Sequence, residues 1–111
     1  MRKALALATG VSFAAVAFAA ADIPTRYAGS FPSVGFVSSI TGTFAGNTLS
    51  LKGTRIRGAN IASVSGTFSC TRASSTQTRC AGAFKTADGA SGGRDVLTVT
   101  WSGGRPVAMT K

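Results

Sequence analysis

Histidine and glutamate are absent from this chain of 111 residues, and aspartate occurs only at positions 22, 88 and 95. General acid–base chemistry would therefore fall to Asp88, Asp95 or a lysine. Both aspartates sit in or beside the glycine-rich stretch "TADGASGGRD", where hydrogen bonding to local turn backbone is the ordinary role of aspartate. Serines are plentiful, but with no base to activate one, none reads as a nucleophile, and no Ser–Lys spacing stands out. Cysteine is limited to Cys70 and Cys80. With no histidine and no further thiol, the pair lacks the partners of a zinc site. The glycines of "GASGG" precede no helix-forming run, so a P-loop is not indicated. "DGASGGRD" offers too few clustered oxygen ligands for a calcium loop. The expectation is a protein that is not an enzyme, with no catalytic residues, no metal and no small-molecule cofactor.

Helical periodicity is missing as well, apart from an apolar opening. Arg2 and Lys3 lead into a charge-free run from Ala4 to Ala21 that ends "AFAAAD". A short positive start, an apolar centre and small residues at 19 and 21 read as a secretory leader cleaved after Ala21. A retained membrane anchor is the competing reading. Against it stand the short span, the weakly apolar alanines, and Thr9, Gly10 and Ser12 within the run. No cysteine sits near the cleavage point, which excludes a bacterial lipoprotein anchor. The expected division is a leader at 1–21 and one exported domain at 22–111, periplasmic or extracellular. In that setting Cys70 and Cys80 read as a disulfide, worth about 3 kcal/mol to so small a domain in the chain-entropy model.

What the chain does contain is glycine, serine, threonine and short alternating apolar runs. Six strands are expected near 35–44, 48–57, 61–70, 79–86, 95–102 and 105–110, with a short one at 26–31 as a further option. Sequential hairpins make an antiparallel meander, and the fold class is an all-β single domain with a strongly curved sheet or small barrel. A two-residue turn at Gly46–Asn47 sets Phe44 opposite Leu49, Gly42 opposite Leu51 and Ile40 opposite Gly53. Pairing Cys70 with Cys80 sets Phe68 over Gly82 and Phe84 over Gly66. The pattern large–x–Gly–x–Phe occurs at 27–31, 40–44, 64–68 and 80–84. It reads as a device for bending and packing the sheet, with each ring covering bare glycine backbone on the next strand. The apolar phase changes between Leu51 and Ile56, which places a β-bulge at Gly53 and turns Lys52, Arg55 and Arg57 to one outer face. Trp101 reads as core, and Pro106 as a mark of an edge strand.

Charge is the remaining signal. Lysine and arginine number 12 against three acids, a formal net charge of +9, and eight of the twelve are arginine. Loss of the leader would leave about +7 by the same count. Arginine suits bidentate contact with phosphate or carboxylate. The candidate binding residues are Lys52, Arg55 and Arg57 on the bulged strand, with Arg72 and Arg79 bracketing the segment "TRASSTQTR". The expected partner is an anionic polymer or lipid surface. The alternative is a protein-interaction module, either an inhibitor of an exported hydrolase or a structural subunit of an envelope assembly. "WSGG" at 101–104 resembles the Trp-then-Gly hairpin of small exported β-proteins that inhibit lysozymes. Gly103 stands where their turn carries a lysine, so no inhibitory residue carries over.

Overall fold

Alternating apolar residues and short connections, most of them holding a glycine, fold the chain back on itself six times. The computed structural model describes residues 22–111, so the expected leader at 1–21 lies outside the described residues. Seven strands follow in chain order: β1 (Arg26–Phe31), β2 (Val37–Ala45), β3 (Thr48–Arg57), β4 (Asn60–Arg72), β5 (Gln77–Thr86), β6 (Asp95–Ser102) and β7 (Arg105–Thr110). They lie in one antiparallel sheet in the order β1 to β7. The sheet curls into a nearly closed barrel. Gly103 and Gly104 both take positive φ, 59° and 80°, in the two-residue β6–β7 turn. That conformation matches strand twist and disfavours residues with a side chain.

The register explains the repeated large–x–Gly–x–Phe pattern. One row across the sheet reads Tyr27, Phe44, Leu49, Phe68, Gly82, and the row beside it reads Gly29, Gly42, Leu51, Gly66, Phe84. Large side chains of one row lie over glycines of the other. A Cβ on Gly82 would fall 2.8 Å from the Phe68 ring and would also run into the carbonyl oxygen of Thr67. A Cβ on Gly66 would meet the Ala83 carbonyl oxygen and, at 2.9 Å, the same Phe68 ring. Phe84 does pair with Gly66 in register, but it is Phe68 that covers both glycines. Phe84 packs against Phe68 instead, their ring centroids 5.2 Å apart. The disulfide joins Cys70 to Cys80, directly opposite each other on β4 and β5. Among the described residues no helix is long and apolar enough to cross a membrane. A disulfide of this kind is maintained by oxidising, non-cytoplasmic surroundings.

Closure falls between β1 and β7. Trp101 of β6 is buried and tilts against Phe44 at 5.0 Å, with Tyr27 and Phe31 of β1 edge-on at 5.9 and 6.1 Å. Its indole N–H donates to the buried Thr78 hydroxyl at 3.0 Å, so the ring enters the core with its polar atom satisfied. Asp22 ties one end of the seam: its carbonyl accepts from the Gly104 amide and its carboxylate from the Gly103 amide. Pro106 lies on β7, the last strand of the sheet, where its missing N–H costs least.

Two expectations need correction. The bulge lies in β2, not at Gly53 in β3. Between Ser38 and Thr41 the register shifts by one, and Ser39 has φ 52°. Gly53 stays in the ladder with β4, paired to Val64. Its missing side chain makes room for the extra residue opposite, since a Cβ there would fall 2.8 Å from Val37 Cγ1 and 3.1 Å from Ile40 Cγ1. The β4–β5 connection is also shorter than "TRASSTQTR" implied. Pairing continues through Arg72 and Thr78, leaving 73–76 as the turn. The disulfide holds the two strands in register past the last apolar residue.

Gly66→Val and Gly82→Val should each destabilise the fold by about 1–3 kcal/mol or more, because the neighbouring carbonyl cannot yield. Gly92→Ala should change little, as only the end of the Arg55 side chain approaches it, at 3.3 Å. Chemical denaturation checks all three. Equal midpoints for Gly66→Val, Gly82→Val and wild type would contradict this packing.

Candidate functional site

The three acids are spent in three separate places. Asp22 holds the β6–β7 turn. Asp95 lies 3.5 Å from the Lys111 ammonium. Asp88 accepts from the Thr86 hydroxyl and from the Ala90 amide, closing the turn that follows β5. The hydroxyl of Thr86, then the amide of Ala90, hold its carboxyl below the ordinary aspartate range.

The five basic residues singled out from the sequence do not form one surface. With the bulge absent from β3, alternation runs unbroken from Leu51 through Gly53 to Arg55 and Arg57. Those two arginines therefore take the inward parity at the rim of the barrel, while Lys52 and Ile56 face outward. The Arg57 guanidinium lies over the Phe36 ring, 5.1 Å from its centroid. Arg55 and Arg57 border a small hollow with Val34, Phe84, Asp95 and Lys111. Its volume is about 40 Å³, which admits a water or a small ion but no polymer. At the opposite rim, Arg72 donates from Nε to the Ser74 carbonyl at 3.2 Å. Arg79 sits across from Thr71 and Thr98. By strand alternation Arg72 and Arg79 point to opposite faces.

Lys52 does join a site, with partners that sequence reasoning missed. Register places Thr41, Lys52, Ser65 and Lys85 in one outward row across β2 to β5. Thr43, Ser50, Thr67 and Ala83 make the next row. An isolated bridge between Lys85 and Ser91 folds the β5–β6 loop beside them. The result is a trough of about 930 Å³ across the outside of the sheet, reaching from Gly29 on β1 to Arg94 in the loop. Its floor follows the glycines Gly29, Gly42, Gly66 and Gly82, where no side chain holds the sheet away from the layer beneath. Hydroxyls come from Thr41, Thr43, Ser50, Ser65, Thr67 and Ser91, and positive charge from Lys52, Lys85 and Arg94. Neither an acid nor an aromatic ring is among its lining residues.

Lys85 was legible in principle. Phe84 faces inward, so Lys85 faces outward, and a β3–β4 register would have aligned it with Lys52. No protein-family model matches this chain, and no curated protein or solved structure is significantly similar to it. Chemistry must be read from the trough itself: a shallow, hydroxyl-rich, cationic face with the reach of several strands.

The lowered pKa of Asp88 has a definite sign. The bonds to its charged form stabilise the turn above the unfolded-state pKa and are lost as pH falls through the lower folded value. Carbon-detected NMR titration should place Asp88 below an aspartate in an unfolded peptide, and Thr86→Val should move it back up. An ordinary titration in the wild type would contradict the bonding described.

Proposed function

We propose that this protein is an exported, non-enzymatic binding domain that holds an anionic envelope polymer in the trough across β1 to β5. The observation that carries the reading is the company Lys52 keeps: Lys85 and Arg94 share its trough, and no carboxylate lines it. In a chain whose formal net charge is +9, about +7 without its leader, such a surface attracts polyanions over distance and retains them by local contact.

The dimensions favour a polymer over a small ligand. Five strands at the usual spacing of about 4.8 Å give a span of about 19 Å. The chemistry favours an acidic polysaccharide over a nucleic acid. Single-stranded nucleic acids are gripped by stacking bases on aromatic rings, and none lines this surface. Hydroxyl groups of threonine and serine instead exchange hydrogen bonds with sugar hydroxyls, while flexible lysines follow carboxylate, sulfate or phosphate groups without demanding one geometry. Arg55, Arg57, Arg72 and Arg79 add to the positive field from the two rims. Export is supported by the charged-then-apolar opening of the sequence and by the disulfide, which suits a periplasmic or extracellular site.

Binding of heparin, polygalacturonate and single-stranded DNA across a range of salt concentrations tests the proposal. Affinity should fall steeply with salt, and the acidic polysaccharides should bind more tightly than the DNA. Lys52→Ser/Lys85→Ser should flatten the salt slope by roughly two units, one per contact removed. Arg72→Ser/Arg79→Ser should leave most of the slope in place. Indifference of binding to the lysine pair, or no polyanion bound at moderate salt, would overturn the assignment.

A further inference from the structure

Large apolar side chains are exposed at only five described positions: Phe36, Ile56, Ile61, Val96 and Val107. Three of these are neighbours. The Ile56 amide donates to the Phe36 carbonyl at 3.0 Å, which sets Phe36 beside Ile56. Ile56 pairs directly with Ile61 across the β3–β4 hairpin. Phe36, Ile56 and Ile61 are 58%, 44% and 68% exposed. Ile56 and Ile61 form a short outward row about 5 Å across at strand spacing, and Phe36, in the turn before β2, stands at its end with its ring against Arg57. Gly58 and Ala59, the turn that ends the hairpin, are exposed beside them. The row therefore sits on a protruding end of the barrel, away from the Asp22 end.

Nothing in the core needs these residues, and serine or threonine would serve the outer face as it does elsewhere on β3 and β4. Isoleucine on both sides of one exposed pair points to something outside that covers it. The charges beside the row indicate what. Arg57 stacks its guanidinium on Phe36, and Arg55 shares the same rim. The acids of this end are Asp88, bonded within its own turn, and Asp95, beside Lys111. An apolar tip bordered by arginines complements an anionic bilayer. The hydrocarbon groups enter the boundary between headgroups and acyl chains, and the guanidiniums stay at the phosphates. A protruding tip suits a deformable surface, whereas a protein partner would have to supply a matching hollow.

We infer that the Phe36–Ile56–Ile61 end of the barrel docks onto an anionic phospholipid bilayer. The docking site is separate from the trough, so it stands whether or not the trough binds a polymer. Alone, three apolar groups and a few cations give reversible association, not permanent anchoring.

Vesicle flotation tests this with two compositions, phosphatidylcholine alone and equal parts phosphatidylcholine and phosphatidylglycerol. The wild type should float with the anionic vesicles and not with the neutral ones. Ile56→Ser/Ile61→Ser should weaken binding to the anionic vesicles about tenfold or more, and Arg57→Ser about fivefold. The isoleucine double variant should keep the wild-type affinity for heparin, and circular dichroism should confirm that both variants fold. In an Ile61→Trp variant, the added fluorescence should shift to the blue and be quenched by brominated lipid only with anionic vesicles. Equal binding by wild type and the isoleucine double variant would overturn the inference, since charge alone would then suffice. So would failure of the wild type to float, and loss of a captured envelope protein in that double variant would then assign the row to a protein interface.

Discussion

The contact of Phe68 with the bare backbone at Gly66 and Gly82 is the constraint from which the rest of this structure follows. One ring lies where two Cβ atoms would otherwise stand, and the strands around it press a neighbouring carbonyl against each glycine. No residue with a side chain can occupy those positions without forcing β4 and β5 apart. Gly42 repeats the arrangement against Ser50 and Leu51 between β2 and β3. Alternating rows of large residues and glycines let a seven-stranded sheet curl tightly enough to bury Leu49, Phe68, Leu97 and Val99 fully inside so short a chain. The same rows set the outer surface. Where the inner face carries glycine, the outer face sinks, and the trough with its hydroxyls and lysines runs along that line.

The two ends of the barrel are finished differently. One is tied by Asp22 to the β6–β7 turn and by the Trp101 amide donating to the Thr76 carbonyl at 2.7 Å. Above these, Trp101 bridges the β1–β7 seam with aromatic contacts in place of a strand ladder. The other end carries Arg55, Arg57, the exposed isoleucine pair and the long glycine-rich loop. The aromatic closure thus gathers at one rim, and the exposed apolar pair, with Arg55, Arg57 and the loop, at the other. This separation lets the far rim and the trough carry charge and exposed apolar groups without weakening the core.

The sequence shows most of this architecture because its signals are local. Gly46–Asn47 fixes one hairpin and Cys70–Cys80 another, and both registers follow by counting outward. Strand β1 was the least legible, since only Phe31 of its six residues is buried. The phase change in β3 was visible but assigned to the wrong strand. Ile56 looked inward because it is apolar, yet it is exposed, and the irregularity belongs to β2, where Ser39 carries it opposite a glycine. With the irregularity in β2, Lys52 keeps the outer face expected of it, while Arg55 and Arg57 take the other parity at the rim. Lys85 and Arg94 were missed for another reason. Their meeting with Lys52 depends on the β3–β4 register and on the Lys85–Ser91 bridge, neither of which a run of adjacent letters reveals.

The central claim is that the glycine-lined trough is a binding surface for an acidic polysaccharide. Amide NMR spectra recorded during titration with a short heparin-derived oligosaccharide test it residue by residue. The account predicts shifts concentrated at Gly42, Lys52, Ser65, Gly66, Lys85 and Arg94, with the Arg72–Arg79 rim nearly silent. Shifts centred on Arg72 and Arg79, or spread evenly over every basic residue, would contradict it.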